Sequence, residues 1–398
     1  MNKLILATPL FLFLFIGIAS AAPTLPSGIQ YYVPLNLSTS WNVGHGAYVQ
    51  QMVNLSESNA TWGSHIAYSS STANFEYFYQ NGTVIPSWIE SNQSGKIITW
   101  AKIKNTTTFF YLGFASKTTN LLSSSGTQGI GEAPQLSSTY AQYDDGASVF
   151  SYYQRWGGLS ALPSGWTATG VSATLNAQST TIYATTNGTR GAIVSSFPIS
   201  ATPFILETYG LFYDSGLATN FEYGLFGSST PNTDLDYTLV FAQATTGDVG
   251  VYNPAISSGV YNYAQATANS IQGIALASTT SIFTYQNYQL GYSNSALTAS
   301  SFSYLQYGSE STTIPLNIYW TRVRAYPPNG VMPSVSFGAV QLSVSLSISP
   351  NPSTYGQSVT LTATCPIGDS CAIDYPSLGT AIATGTGSAT YTYNAFAL

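Results

Sequence analysis

An alternation of apolar and polar side chains, with a period of two residues, runs through this chain. Aliphatic and aromatic residues occupy every second position in 29–37, and the same pattern recurs in 340–348. Successive side chains of a strand point to opposite faces, so this period is typical of half-buried β-strands. Shorter β-rich runs, separated by Gly, Pro, Asn and Ser, lie at 204–206, 221–226, 237–241, 282–285 and 316–323. Because no amphipathic helix of useful length is present, the chain is predicted to be all-β, with antiparallel β-sandwiches in tandem.

The chain is poor in charge and rich in apolar side chains. Charged residues make up 6% of its 398 residues, compared with about 25% in an ordinary soluble protein. Hydrophobic residues make up 44%, which is enough for packed cores in two or three domains. The nine Lys and Arg are scattered along a chain of net charge −6, which argues against a nucleic-acid partner. A surface of hydroxyls and amides suits either an acidic medium or a wall-type protein of biased composition, and both interpretations stay open.

The N-terminus has the pattern of a secretion signal over residues 1–21. Lys3 provides the positive charge, residues 4–18 form the apolar stretch, and Ala19, Ser20 and Ala21 form a cleavage site of the A-x-A type. The apolar stretch is shorter than the roughly 20 residues of a membrane-spanning helix, so cleavage is favoured over an anchor. The mature chain is therefore expected to be extracellular, at the cell surface, with no membrane span.

Two further features agree with secretion. Cys365 and Cys371 are the two cysteines, and an even pair in a secreted chain predicts a disulfide. Sequons for N-glycosylation predict a glycoprotein. They occur at Asn36, Asn54, Asn59, Asn81, Asn92, Asn105 and Asn187.

The first domain, residues 22–117, carries a distinctive succession between 75 and 114. It combines Phe-Glu-Tyr-Phe at 75–78, Gly-Thr-Val-Ile-Pro-Ser-Trp-Ile-Glu at 82–90, an aliphatic strand with Trp100, and a threonine-rich turn into Tyr111-Leu-Gly113. This succession resembles a β-domain family of unknown function found in modular surface proteins of archaea and bacteria. The resemblance implies a setting, an archaeal or bacterial surface protein, and no particular chemistry.

A second domain is predicted at 143–332, after a polar, Gly-rich linker at 118–142. Its opening, with an aromatic strand at 149–156 and Leu-Pro-Ser-Gly-Trp at 162–166, resembles concanavalin A-like, laminin-G-like sandwiches. The closing strand at 318–326 resembles theirs as well. The resemblance implies a jelly-roll, lectin-like sandwich.

The third segment, 340–398, resembles the first strands of immunoglobulin-like modules in prokaryotic surface proteins. Val359, Leu361, Ala363 and Cys365 alternate onto one face, so Cys365 should point into a core. Only 59 residues remain, whereas an immunoglobulin fold needs about 100. The segment is interpreted as a partial module.

Catalytic motifs are lacking, and the chain is predicted not to be an enzyme. Glucanases of the concanavalin A-like type carry Glu-x-Asp-x-x-Glu on one strand, and no such triplet is present. The two histidines lie in the first domain, outside any nucleophile elbow. Four acidic residues fall in strand-like runs and are interpreted as surface or turn groups: Glu207, Glu222, Asp234 and Asp236.

Two sets of residues are candidates for binding. Asp144 and Asp145, next to Gly146, are a possible Ca²⁺ site, although a polar turn is favoured because calcium needs more oxygens than two carboxylates provide. Trp320, Arg322 and Arg324 alternate onto one side of the closing strand and are candidates for stacking on a sugar ring. Core packing is the alternative for these three. No other cofactor is expected.

Together, these features predict a secreted cell-surface binding or adhesion protein that recognises glycans or envelope components. One alternative is a self-assembling structural subunit of a surface layer or filament. Another is a polysaccharide-degrading enzyme, which would require convergent carboxylates in a groove.

Overall fold

The structure is a computed structural model of the 398-residue chain. It describes residues 22–41, 46–197, 203–211, 220–226, 229–231, 240–243, 248–253, 258–263, 268–278, 281–294, 303–342, 345–349, 358–365, 370–374 and 381–394. The predicted leader, 1–21, lies outside these residues. None of the helices in the described part has the length and apolar character needed to span a membrane.

The described elements are almost all strands, in chain order. Those up to residue 142 are β1 (Tyr31–Leu37), β2 (Tyr48–Ser56), β3 (Tyr68–Ser69), β4 (Thr72–Ala73), β5 (Phe75–Phe78), β6 (Val84–Ile85), β7 (Ser87–Gln93), β8 (Lys96–Lys104), β9 (Phe109–Phe114) and β10 (Gly131–Glu132). Those from 143 to 325 are the short helix α1 (Gly146–Val149), β11 (Tyr152–Arg155), β12 (Trp166–Thr169), β13 (Val171–Leu175), β14 (Thr180–Ala184), β15 (Gly191–Ser196), β16 (Phe204–Leu211), β17 (Asn220–Phe226), β18 (Val240–Gln243), β19 (Asp248–Asn253), β20 (Ser258–Tyr263), β21 (Ser270–Leu276), β22 (Ile282–Gln286), β23 (Gln289–Asn294), β24 (Tyr304–Ser309) and β25 (Leu316–Ala325). A 3₁₀ turn (Pro328–Gly330) then leads to β26 (Val335–Phe337), β27 (Gln341–Leu342), β28 (Ser345–Ser349), β29 (Ser358–Thr364), β30 (Ser370–Asp374), β31 (Ala381–Thr386) and β32 (Ser388–Asn394).

The first domain is a sandwich of two sheets. Sheet I has the order β26-β1-β9-β5-β6, with β27 also paired to β1, and sheet II has the order β10-β7-β8-β2. Their facing side chains bury one core, whose largest members include Trp41, Trp62 and Phe75. The alternation that predicts β1 is confirmed, because Val33 and Leu35 are fully buried in this core.

The second domain is a larger sandwich. Sheet III has the order β13-β14-β25-β16-β21-β22-β23, with β11 also paired to β25, and sheet IV has the order β12-β15-β24-β17-β18-β19-β20. Trp156, Trp166 and Tyr307 pack edge-on or tilted against one another in the core between these sheets. The prediction of an all-β fold with antiparallel sheets is confirmed, apart from the parallel pairing of β10 with β7 and an isolated parallel bridge between Leu122 and Ile130.

The segment predicted as a linker, 118–142, is packed against the first domain. Leu122 and Ile130 are buried, and β10 extends sheet II beside β7. The carboxylate of Glu132 accepts hydrogen bonds of 2.7 Å from the Tyr68 hydroxyl and from the Ser137 hydroxyl. The Gly-rich composition therefore marks close backbone packing here, because a Cβ on Gly131 would lie 2.5 Å from the Cβ of Asp145.

The predicted continuous strand at 340–348 is divided between two sheets. After the second domain, β26 and β27 return to the first domain and pair antiparallel with β1. The next strand, β28, instead pairs with β29 in the three-stranded sheet β28-β29-β32. Leu342 and Ile348 are 50% and 45% exposed, so the alternation of this run does not place them in a core. Of the four residues that alternation places on one face, Val359, Ala363 and Cys365 are buried and Leu361 is half-buried.

Candidate functional site

The outer faces of sheet II and sheet III pack against each other and join the two domains. Trp88 on β7 lies directly opposite Trp100 on β8, and both side chains point away from the core of the first domain toward the second. Trp320 on β25 meets Trp88 edge-on, with ring centroids 5.5 Å apart and an interplanar angle of 86°. Phe150, which follows α1, also packs on Trp88 and Trp100. These four rings are buried between the domains.

Four charged side chains lie buried within this aromatic cluster, and we call them the interdomain charge cluster: Glu90, Glu207, Arg322 and Arg324. Arg322 Nε donates to Glu207 Oε2 at 2.7 Å, and its Nη2 donates to Glu90 Oε2 at 2.6 Å. Arg324 donates to Glu207 Oε1 from Nε at 2.9 Å and from Nη2 at 2.7 Å. The cluster contains two carboxylates and two guanidiniums, so its formal charge is zero.

Strand register explains how these side chains meet. Glu207 on β16 is directly opposite Arg322 on β25, which makes them a cross-strand pair on one face. Glu90 comes from the other domain and sits at a β-bulge, because Ile89 pairs with Thr99 whereas Ser91 pairs with Ile98. A bulge re-aims the side chain of the extra residue. Trp100 Nε1 also donates to Glu90 Oε2, at 2.7 Å.

Ion pairing favours the charged forms of Glu207 and Arg322. Burial by itself would raise the pKa of Glu207, but Arg322 and Arg324 hold that pKa below its usual range. Burial by itself would lower the pKa of Arg322, but Glu207, Tyr288 and Glu90 raise it above its usual range. The guanidinium of Arg322 also lies 4.7 Å from the ring centroids of Trp100 and Trp320, which favours a cation.

The turn between β22 and β23 reaches across to this cluster. Asn287 and Tyr288 both have a positive φ, of 47° and 68°, which is costly for an aromatic residue. The Tyr288 hydroxyl donates to Glu90 and accepts from Arg322 Nη2 at 2.8 Å. These contacts hold the strained turn against the first domain.

Beside the charge cluster, the interface opens into a cleft of about 930 Å³ between the two domains. We call it the interdomain cleft. The first domain contributes the ends of β2, β7 and β8, and the second contributes β16, β21, β25 and the β22–β23 turn. Its lining is mainly amide, hydroxyl, aromatic and aliphatic, and consists of Asn54, Leu55, Ser56, Glu90, Ser91, Asn92, Gln93, Ser94, Lys96, Ile97, Ile98, Gln135, Leu136, Tyr209, Asn269, Ile271, Asn287, Tyr288 and Trp320.

Three polar atoms of the lining residues are buried without a hydrogen-bond partner among the described residues. They are the indole Nε1 of Trp320, the amide Oδ1 of Asn92 and the amide Oε1 of Gln135. Buried polar atoms in native proteins are almost always paired, with protein groups or with a bound molecule, since an unpaired one costs about 1 to 3 kcal/mol. One donor and two acceptors on residues that line the interdomain cleft therefore have unused hydrogen-bonding capacity.

The predicted ligand-binding residues Trp320, Arg322 and Arg324 do share a face, but that face is covered. Trp320 and Arg322 have no solvent exposure, and Arg324 is 5% exposed. The Trp320 ring stacks on Tyr209, with centroids 5.3 Å apart. An open sugar-stacking platform on these three residues is therefore not what the fold provides, because the first domain packs over the closing strand. Trp320 nevertheless lines the interdomain cleft, together with Tyr209, Ile271 and Tyr288.

The predicted Ca²⁺ ligands are engaged by protein donors instead. Asp144 Oδ1 accepts from Trp88 Nε1 at 3.1 Å and from the Gly146 amide at 3.2 Å, and Oδ2 accepts from the Tyr153 hydroxyl at 3.0 Å. Burial raises the pKa of Asp145 to about 6, against the opposing effects of Ser148 and Lys102. Within the described part of the chain, no group of three His, Cys, Asp or Glu side chains could hold a metal. Asp144 therefore connects β7 of the first domain to β11 of the second.

The interpretation of Glu207 as a surface group is wrong, because it is 2% exposed and ion-paired. Glu222 lies on β17, and the structure describes only its backbone. Asp234 and Asp236 lie outside the described residues. The predicted disulfide also stays a prediction. Cys365 is buried at the end of β29, Cys371 lies on β30, and no free cysteine occurs in the described part.

The predicted glycosylation sites all lie at the surface of the fold to some degree. Asn36, Asn54, Asn81 and Asn187 are exposed, and the other three are half-buried. Asn54 and Asn92 line the interdomain cleft. A glycan on either would occupy the space that a ligand needs.

Glu90, Trp88, Trp100 and Tyr288 were not among the predicted site residues. The sequence does contain one signal for the first three, because β7 and β8 carry large apolar or aromatic residues on both faces. A strand of a two-layer sandwich with two apolar faces indicates that something covers its outer side. Nothing in the sequence identifies Tyr288.

No protein-family model matches the chain, and no curated protein matches it, so the family resemblance of residues 75–114 stays a prediction. Solved structures similar to part of the chain include the carbohydrate recognition domain of Emp47p, at 11% identity and a TM-score of 0.33, covering 44% of this chain and 95% of that chain. The exoplasmic/lumenal domain of VIP36 has 10% identity and a TM-score of 0.33, covering 46% and 95%. The catalytic domain of an endo-1,3-beta-glucanase (laminarinase) from Thermotoga petrophila has 10% identity and a TM-score of 0.34, covering 44% and 96%. Similarities at this level identify neither a shared site nor an activity.

Proposed function

We propose that this chain is a carbohydrate-binding protein and that its ligand, a neutral saccharide, occupies the interdomain cleft. The single observation that carries the proposal is the set of three unpartnered buried atoms around the cleft, on Trp320, Asn92 and Gln135. A sugar hydroxyl both donates and accepts, so one ligand can pair with an indole N–H and with two amide oxygens. The volume of about 930 Å³ is in the range of small-molecule sites.

The rest of the lining favours the same ligand class. Tyr209 and Tyr288 line the cleft and are half-buried, and aromatic side chains in such positions suit contact with the apolar face of a sugar. The charged residues of the lining are Glu90, which is ion-paired, and Lys96, which is exposed at the rim. Because these charges have opposite sign and one is already paired, a neutral ligand is preferred over an ionic one.

The experiment is a glycan-array screen of the full mature chain, since both domains form the cleft, followed by calorimetric titration of the best neutral ligand. The protein should come from a host that does not attach N-glycans, which leaves Asn54 and Asn92 unmodified. Asn92→Ala and Gln135→Ala should each weaken binding about fivefold, the loss of one hydrogen bond of about 1 kcal/mol. Asn187→Ala, on an exposed turn far along the second domain, is the matched control and should bind like the wild type.

Unchanged affinity in both cleft variants, with unchanged melting temperature, would contradict the proposal. The same incubations should be assayed for released reducing ends. Turnover would favour the alternative of a polysaccharide-degrading enzyme, for which Glu90 is the carboxylate that lines the cleft.

The proposed setting is the cell surface, as a secreted adhesion or binding protein. Its support is the leader-like segment 1–21 and the charge-poor, hydroxyl-rich composition. A structural subunit of a surface layer or filament is the competing role. Light scattering over a range of concentrations distinguishes them, since a subunit assembles with itself and a binding protein does not.

A further inference from the structure

A second groove lies on the first domain, at the other end of β8. It has a volume of about 710 Å³ and lies between the start of β2, the β5–β6 turn, the end of β8 and the packed linker segment. Lys96 lines the interdomain cleft, whereas Lys102 and Lys104 line this groove. Eight residues of strand separate Lys96 from Lys104, which is roughly 26 Å. The two sites are therefore distinct.

Aromatic rings and ammonium groups are combined in this groove. Lys102 Nζ lies 5.9 Å from the ring centroid of Tyr48, and Lys104 Nζ lies 5.9 Å from that of Tyr79. Tyr48 is 49% exposed and Phe109 is 38% exposed, and both are among the few large hydrophobic side chains that face solvent in the described part of the chain. We call this set the basic aromatic groove.

Neither lysine of the groove is held in a close ion pair within the described part of the chain. None of the ion pairs among the described residues includes Lys102 or Lys104, whereas the pairs of Arg190, Arg322 and Arg324 are formed with carboxylates. Lys102 Nζ donates to the backbone carbonyl of Ser148 at 2.8 Å, which positions it, and its charge partly offsets the effect of burial on the pKa of the nearby Asp145. In a chain with nine Lys and Arg and a net charge of −6, two adjacent cations outside any close ion pair form a local positive site.

We infer that the basic aromatic groove binds an acidic polysaccharide segment, through ring stacking on Tyr48 and Phe109 and through pairing of its carboxylate or sulfate groups with Lys102 and Lys104. The groove walls also contain the amides of Gln80 and Asn81 and the hydroxyls of Thr83 and Thr127, which suit sugar hydroxyls. Exposed aromatic rings beside cations match a sugar acid better than a simple inorganic anion, which offers no apolar face. Nucleic acid is disfavoured, because two lysines on a net acidic protein cannot neutralise a phosphate backbone.

The test is calorimetric titration of the full mature chain, unglycosylated at Asn81, with a uronic-acid oligosaccharide, a sulfated oligosaccharide and a neutral oligosaccharide of equal length. We expect one or both acidic ligands to bind, and the preferred one identifies the anionic group. Lys104→Met should weaken that binding about five- to tenfold, and an increase in salt from 20 to 200 mM should weaken it further, as for an exposed ion contact. Lys96→Met is the matched control, since it removes an exposed lysine from the same strand, and it should have no effect.

Failure of both acidic ligands to bind at 20 mM salt would overturn the inference. So would equal losses in Lys104→Met and Lys96→Met, equal affinity for the neutral oligosaccharide, or equal affinity for single-stranded DNA, which would indicate non-specific attraction of polyanions. Asn92→Ala in the interdomain cleft should leave acidic-ligand binding unchanged. The two sites can therefore fail independently.

Discussion

Removal of Arg322 should destabilise the junction of the two domains strongly. Its guanidinium is fully buried and contacts Glu207, Glu90 and Tyr288 at 2.6 to 2.8 Å. In Arg322→Met, Glu207 retains Arg324, but Glu90 loses its cationic partner while remaining 4% exposed. Leaving one member of a buried pair uncompensated costs about 3 to 5 kcal/mol in the free energy of unfolding.

The assay is urea unfolding at pH 7, followed by tryptophan fluorescence, because Trp88, Trp100 and Trp320 report on the junction. Adding Glu90→Gln to Arg322→Met removes the stranded charge, so the double variant should be more stable than the sum of the single losses predicts, by about 1 to 3 kcal/mol. The matched control is Arg190→Met, whose partner Glu310 lies within the second domain.

The side chains of the control pair are 12% and 16% exposed, so water partly solvates the partner left behind and the loss should be smaller than in Arg322→Met. A loss below about 1 kcal/mol in Arg322→Met, or equal losses in Arg322→Met and Arg190→Met, would refute the reasoning that the charge cluster holds the domains together.

Three further predictions concern pH, backbone packing and redox state. Burial raises the pKa of Asp145 to about 6, so the folded state binds its proton more tightly than the unfolded state, and stability should rise as pH falls from 7.5 to 5. The lowered pKa of Glu207 acts oppositely, but its contribution is lost only below the ordinary value of 4.5, as the carboxylate protonates. A melting temperature that falls steadily from pH 7.5 to 5 would therefore contradict this account. Gly131→Ala should lower the free energy of unfolding by about 1 to 3 kcal/mol, since its Cβ would lie 2.5 Å from Asp145, and a neutral effect in urea unfolding would mean that the linker segment is not packed as described. Cys365 and Cys371 should give no thiol in a titration of the denatured, unreduced protein, and two thiols per chain would exclude the disulfide.

The sequence predicts the strands well because strand formation depends on local alternation. The run 204–206 lies inside β16 and the run 316–323 lies inside β25, each extended by the structure. The contacts that join the two domains, by contrast, are made between residues far apart in the sequence. Alternation places Trp320, Arg322 and Arg324 on one face, but it does not say whether water, a ligand or another domain covers that face.

Alternation also fails to predict which charged residues are buried. Glu90 and Glu207 are acidic residues in strands, and such residues usually face water. Their burial depends on Arg322, which is 115 residues beyond Glu207 and 232 residues beyond Glu90. The low charge content does offer a signal. In a chain with so few charged residues, those inside Trp-containing strands can be predicted to form buried ion pairs.

The most direct test of carbohydrate binding in the interdomain cleft is the indole N–H resonance of Trp320 in a two-dimensional ¹H–¹⁵N spectrum. The chain has seven Trp, so the resonance is assigned by its loss in Trp320→Phe. Titration with the best neutral oligosaccharide should shift this resonance saturably, because the unpartnered Nε1–H gains an acceptor, while Trp156 in the core of the second domain stays in place. A Trp320 resonance that does not move at saturating ligand would contradict the account.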